Sequence, residues 1–179
     1  MDKRKQKNQE VKQAITEAFF RLMRRREDTE ISVTDLVREA KVARVSYYRN
    51  FDSKEDIVAS LVDTVLEEYE DGVNKEIGFY CYQHILRSFQ FFEAYQEYML
   101  DIIRFNYTRI LLEKLNRFHE RMDGDVPANS LQRYRIYAYM GALVNTVLFW
   151  IGSGKKETPT EMALQFCSMM GITAGVPEG

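Results

Sequence analysis

Apolar residues along this chain recur at spacings of three and four, and no strand-like alternation persists anywhere in it. The pattern predicts an all-α protein without internal repeats. Val11, Ile15, Ala18, Phe19, Leu22 and Met23 form one stripe, so a first amphipathic helix is expected from about Asn8 to Arg26. Arg24, Arg25 and Arg26 close it, where cations suit the negative end of the helix. Start signals then follow at Ser32 with Asp35, Ser53 with Asp56 and Thr158 with Glu161, each spaced as a capping box. Pro159 fills the first helical position of the last. The first box opens a short helix with Leu36, Val37 and Ala40 on its apolar face. The second opens a long helix through Ile57, Leu61, Val65 and Leu66 to about Asp71. Further helices are expected near Phe79–Phe92, Tyr95–Arg104, Asn106–Met122, Ser130–Gly152 and Thr160–Ile172. A loop is expected at Asp123–Asn129, a terminator at Gly152-Ser153-Gly154 and a frayed tail from Ala174.

Composition allows this arrangement without staples. The chain has 179 residues, 45% hydrophobic and 29% charged, enough for a packed core in one domain or in a small and a medium one. Cys81 and Cys167 form no short-range pair, which suits a reducing cytoplasm. No secretory leader pattern opens the sequence, and the most apolar stretch, Tyr134 to Ile151, is too short and mixed to span a bilayer. A cytoplasmic protein is therefore expected.

Charge changes the picture more. The formal net charge is −2, yet residues 1–51 carry 13 Lys and Arg against 8 Asp and Glu, while residues 52–179 carry 12 against 19. A basic head on an acidic body suggests that only the head meets an anionic partner. The head also holds the densest run of helix signals, ISVTDLVREAKVARVSYYRNFDSKED from Ile31 to Asp56, which has the form of a helix-turn-helix. Within it Tyr47 and Phe51, four apart, turn inward together, leaving Arg44, Val45 and Tyr48 outward on a helix of barely two turns. So short a helix is marginal alone, and its outward face reads as functional.

The run from Val42 through Ser46-Tyr47-Tyr48-Arg49-Asn50-Phe51 to Ser53-Lys54-Glu55-Asp56 resembles the recognition helix and helix-4 opening of the tetracycline-repressor (TetR) family of bacterial transcription regulators. The resemblance covers about Val11 to Leu66. It implies an N-terminal three-helix DNA-binding domain over residues 1–52 and a C-terminal helical bundle, residues 53–179, for ligand binding and dimerisation. Carried over by position, Arg44, Val45 and Ser46 fall where relatives contact bases or nearby backbone, Arg44 being suited to a guanine edge. Tyr48 falls where a hydroxyl meets phosphate, Asn50 where many relatives have a phosphate-contacting histidine, and Lys54 at a backbone-contacting helix start. Ser32 and Thr34 open helix 2, where amides and hydroxyls can hold phosphate. Three departures stand out, one being Val45 in place of a small residue on the reading face, which adds a methyl surface that could meet a thymine. Lys41 replaces the usual glycine of the turn and Ala43 the usual serine cap, each at a cost of about 1 kcal/mol. Lys3, Arg4, Lys5 and Lys7 form a basic arm ahead of helix 1, read either as a minor-groove or phosphate contact or as a solubilising tail.

Residues 79–118 are crowded with aromatics, which at helical spacing are ordinarily core. The resemblance instead implies a small-molecule effector pocket there. Phe92, Tyr95, Tyr98 and Phe105, with Tyr137, are its candidate ligand-binding residues. Core and pocket remain open at this point. For dimerisation, as the family dimerises, the candidates are Tyr134, Ala138, Gly141, Asn145 and Leu148 on one helix and Met162, Phe166, Met169 and Met170 on the next. Cys81 and His84 lie on one face, but His119 is the only other histidine, so no metal or cofactor is expected. No catalytic grouping is recognisable, so the expectation is not an enzyme. The expected function is a homodimeric repressor released from a near-palindromic double-stranded DNA operator by an unidentified effector. Effector-induced activation is compatible with the same fold. The alternative is a helical regulator that works through a protein partner, with a vestigial DNA unit.

Overall fold

A computed structural model of the chain describes residues 3–26, 31–72, 78–124 and 126–173. Among them the chain is all-helical, in nine α-helices: α1 Lys3–Arg25, α2 Val33–Ala40, α3 Arg44–Asn50, α4 Lys54–Asp71, α5 Tyr82–Ala94, α6 Gln96–Arg104, α7 Thr108–Met122, α8 Leu131–Gly152 and α9 Pro159–Met170. The expected tail from Ala174 and part of the expected Asp123–Asn129 loop lie outside the described residues. The chain divides into two compact units, Met1–Thr64 and Val65–Gly179. That division falls inside α4, beyond the start at Ser53 that the sequence pattern suggested.

In the first unit α1, α2 and α3 pack on one another. The predicted stripe of α1 is buried from Ile15 to Met23, and Phe20, which the spacing left out, is buried with it. Phe19 and Phe20 meet edge to face, 5.6 Å between ring centroids. One reading needs correction: Lys3, Arg4, Lys5 and Lys7 are no extended arm but the exposed first turns of α1. The first turn of α1 holds no acidic residue, so they sit where the helix dipole disfavours cations.

The C-terminal arginines of this helix do more than complement its dipole. Arg21 and Arg25 reach Glu39 of α2 at 3.2 and 3.3 Å, and Arg26 reaches Asp35 at 3.0 Å. The short helix α2, which could not persist alone, is thereby clasped to the end of a long one. The Arg26 contact and the Ser32 hydroxyl hold the Asp35 carboxyl at about 2, below its ordinary value.

The caps follow the spacing closely. Asp56 N–H donates to Ser53 Oγ at 3.1 Å and Ser53 N–H to Asp56 Oδ2 at 3.1 Å, completing the box before α4. Thr158 and Glu161 complete another before α9. At α2 the box is only half made: Asp35 N–H donates to Ser32 Oγ, but the Asp35 carboxylate accepts from the Ser32 hydroxyl and from arginines instead.

In the second unit α5 packs along α9, while α6 and α7 pack on α8. Phe89, Trp150, Phe166 and Tyr139 form one buried layer, with ring centroids 5.6–6.2 Å apart. Trp150 satisfies its indole N–H on Glu157 O at 3.0 Å, which pins the α8–α9 turn. Asn106, at φ 62°, breaks α6 from α7 in the left-handed region that asparagine tolerates. A second layer contains Tyr69, Phe79, Phe118 and both histidines, His84 and His119. Burial holds both imidazoles down at about 4, so each is neutral near pH 7.

Candidate nucleic-acid interface

The turn between α2 and α3 is built as the sequence implied, strain included. Lys41 adopts φ 55° and ψ 40°, a left-handed conformation that glycine takes without penalty. It is held there because Lys41 N–H donates to Arg38 O and Val42 N–H to Val37 O, closing the end of α2. Ala43 occupies the cap of α3 and makes no side-chain capping bond. The penalty is met by packing: Tyr47 and Phe51 are 2% and 3% exposed, their ring centroids 6.2 Å apart. Lys12 of α1 lies over the Phe51 ring at 5.7 Å.

With those rings inward, the opposite face of α3 is turned to solvent. Val45 is 62% and Tyr48 54% exposed, unusual for such side chains in a folded domain. Arg44 is exposed beside them, its Nη2 donating to Tyr48 Oη at 3.2 Å and its guanidinium 5.7 Å from the ring centroid. The long arginine is thus partly ordered before any partner arrives, which lowers the entropy lost on contact. Lys41 and Arg49 add exposed positive charge at either end.

The other candidates are placed less openly. Ser46 is half-buried, and its carbonyl accepts from Asn50 Nδ2 at 2.8 Å, so that donor of Asn50 is used within the helix. Ser32 caps α2 with its hydroxyl engaged by Asp35, Thr34 is exposed two residues on, and Lys54 is half-buried at the first position of α4.

The five candidate ligand residues do not form one site. Phe92 is buried, and Tyr95 and Tyr98 are half-buried, linked through Phe91 and by ring contacts of 5.0–6.5 Å. Tyr95 donates to the Glu68 carboxylate, and that bond pushes its hydroxyl up to about 12. No ring contact joins Phe105 or Tyr137 to them among the described residues. Phe105 lies under Arg104, and Tyr137 is an exposed wall of a shallow depression shared with Ala128, Arg133 and Tyr134.

The candidate dimer set also divides. Tyr134, Ala138, Asn145, Met169 and Met170 are exposed, while Gly141, Leu148 and Met162 are half-buried. Phe166 is 1% exposed and belongs to the internal layer with Phe89 and Tyr139. Leu131, Phe149 and Leu164, which the sequence reading passed over, are exposed instead. The outward line of α8 therefore runs Leu131, Tyr134, Ala138, Asn145 and Phe149. Its steps of three, four and seven residues were visible in the sequence, but the inward line obeys the same rule. Among the described residues, no group of three or more His, Cys, Asp or Glu could hold a metal ion. No helix there is long and apolar enough to cross a membrane.

A basic helix-turn-helix unit followed by a helical bundle defines the TetR-like fold, and comparison with solved structures agrees. The chain superposes on the dihydroxyacetone kinase operon activator DhaS with a TM-score of 0.57 at 17% identity, covering 89% of this chain and 93% of that one. A tetR-family transcriptional regulator from Streptomyces coelicolor gives a TM-score of 0.57 at 16% identity, covering 90% and 83%. No known family pattern matches the chain, and no curated protein does.

Proposed function

We propose that the chain is a DNA-binding transcriptional regulator. The observation that carries this reading is the face of α3, where Arg44, Val45 and Tyr48 stand outward because Tyr47 and Phe51 are locked inward. A guanidinium able to bridge O6 and N7 of guanine, a methyl-bearing side chain suited to thymine and a phenol within reach of phosphate make a reading surface. The fold likeness supports the same use of this helix.

One two-turn helix reads too few base pairs for useful specificity, so the regulator acts as a homodimer on half-sites about 34–36 Å apart. Support comes from the exposed line Tyr134, Ala138, Asn145 and Phe149 of α8 with Met169 and Met170 of α9, apolar surface that a second copy would cover. The operator is then near-palindromic. A small effector in the second unit favours a DNA-incompetent state, acting through α4, whose residues belong to both units. The chain is a cytoplasmic binder, not an enzyme. Repression is the proposed sign. DhaS is named an activator, and promoter output in a deletion strain separates the two, rising for a repressor and falling for an activator.

The test of DNA reading is a gel shift with genomic fragments across a salt series. A discrete complex that weakens steeply as salt rises is expected, since phosphate contacts release counterions. Absence of any complex at the lowest salt sinks the proposal and leaves a regulator working through protein partners.

A further inference from the structure

Two buried acceptor atoms in the second unit have no partner: Asn116 Oδ1 and His119 Nε2. Both residues are on α7, three apart and therefore on one face, and both are buried, His119 at 5% exposure. Each unmet buried acceptor costs about 1–3 kcal/mol, so leucine at 116 and phenylalanine at 119 would make a cheaper core. Neighbouring polar groups are fully employed. Ser88 Oγ donates to His84 O at 2.9 Å, so the Tyr69 hydroxyl must donate to Ser88 Oγ and His84 Nε2 to Tyr69 Oη. Every hydrogen in that chain is spent, and none reaches α7.

His119 has the opposite tautomer. Its Nδ1 faces Leu115 O at 3.2 Å, and a carbonyl can only accept, so Nδ1 bears the hydrogen and Nε2 is bare. Around that imidazole stand flat apolar faces: Phe79 at 4.8 Å, Phe118 at 5.6 Å and Tyr139 at 6.3 Å between ring centroids. A third orphan among the described residues, Arg87 Nε, is a donor on α5 whose guanidinium already serves Tyr69 O.

We propose that Asn116 Oδ1 and His119 Nε2 form the polar end of the effector site. They accept from a compact, uncharged, planar molecule bearing an N–H or O–H, with its flat body against Phe79, Phe118 and Tyr139. The assignment rests on the effector reading above and names the ligand class. An anion finds two lone pairs where it needs donors, and a cation finds no carboxylate among Asn116, His119, Phe79, Phe118 and Tyr139 to offset its desolvation, Asp123 acting on His119 more weakly than burial does. A neutral phenol or amide meets both conditions.

The experiment uses the full chain without DNA, labelled with ¹⁵N-histidine. Only two histidines exist, so His84 serves as the internal reference for His119. Phenol is titrated against anisole, which has the ring but no donor, and benzoate, which has the ring and a charge. Phenol should move the His119 Nε2 resonance and leave His84 Nε2 in place. It should bind about ten-fold more tightly than anisole, one hydrogen bond's worth, while benzoate does not bind. In Asn116→Leu and His119→Phe the preference for phenol over anisole should shrink, and in His119→Gln, which keeps an acceptor, it should persist. Equal affinities for phenol and anisole overturn the proposal, as do measurable benzoate binding, no phenol binding, or a His119 Nε2 resonance already hydrogen-bonded and unmoved. These outcomes are independent of operator binding, so a failed titration beside a sound gel shift removes the ligand class alone.

Discussion

The two units solve the problem of polar groups in opposite ways. The first is small, and its short helices α2 and α3 are held from outside, by arginines of α1 on Asp35 and Glu39 and by a single inward pair, Tyr47 and Phe51. It keeps its polar chemistry on the surface, where Arg44 and Tyr48 wait for a partner. The second unit has a deep aromatic interior and puts polar chemistry inside it, at His84, Ser88, Asn116 and His119. A surface that reads an anion must be wet and charged; a site that selects a small neutral molecule must be dry and uncharged. The difference is the one that the two proposed kinds of recognition require.

The contrast can be broken in several places, the largest effect first. Phe166→Ala should cost about 3–5 kcal/mol, because it empties a packed aromatic layer. Phe149→Ala, one residue before Trp150 but exposed, should leave monomer stability within about 0.5 kcal/mol and weaken dimerisation. Denaturant unfolding of both, with sedimentation of the second, checks this. Equal stability losses would erase the distinction between inner and outer stripes.

Acid should separate the units next. His84 and His119 bind protons near 6.5 when unfolded but only near 4 when folded, so the unfolded state takes up protons first as pH falls. Stability of the second unit is intact above pH 6.5 and declines down to about pH 4, by on the order of 2–3 kcal/mol per histidine. Arg87, which faces His84, pushes in the same direction, and Asp123 near His119 opposes it. In the first unit Asp35 is held at about 2, so its contribution is present above its ordinary 3.8 and lost only below. Trp150, the sole tryptophan, reports on the second unit by fluorescence during acid-dependent melts. A Trp150 signal equally stable at pH 7 and pH 4.5 contradicts the buried-histidine account.

Arg44→Ala should reduce the preference for operator over random DNA by about ten-fold or more, corresponding to one lost bidentate base contact of about 1–3 kcal/mol. A competition gel shift measures the ratio, and an unchanged ratio removes Arg44 from the reading face. Ala43→Ser should stabilise the first unit by about 1 kcal/mol by supplying the missing cap. Lys41→Gly should gain less, since relief of the left-handed strain is offset by the freedom glycine adds to the unfolded chain. Thermal melts decide both. Tyr48→Phe should be the mildest, weakening DNA binding by about 0.5–1.5 kcal/mol through the lost hydroxyl.

Much of this could be read from residue order. The caps at Ser53 and Thr158, the inward pair Tyr47 and Phe51, and the strain at Lys41 all depend on residues within four positions of one another. Local chemistry settles such features before any tertiary contact forms. The start of α1 was misplaced because Lys3 to Lys7 carry no apolar stripe, and only their helical backbone shows that they continue the helix. The candidate pocket residues were chosen for aromatic density, which cannot separate Phe92 inside from Tyr137 outside.

Sequence by itself therefore determined the helices, their caps and the outward face of α3, because backbone hydrogen bonding and helical period act over a turn or two. Tertiary structure decided which of two equally periodic stripes on α8 faces inward, that Phe166 belongs to the core, and that Asn116 and His119 share a buried face without partners. Those outcomes depend on helices distant in sequence coming together. Period assigns a residue to a face; only packing determines what that face meets.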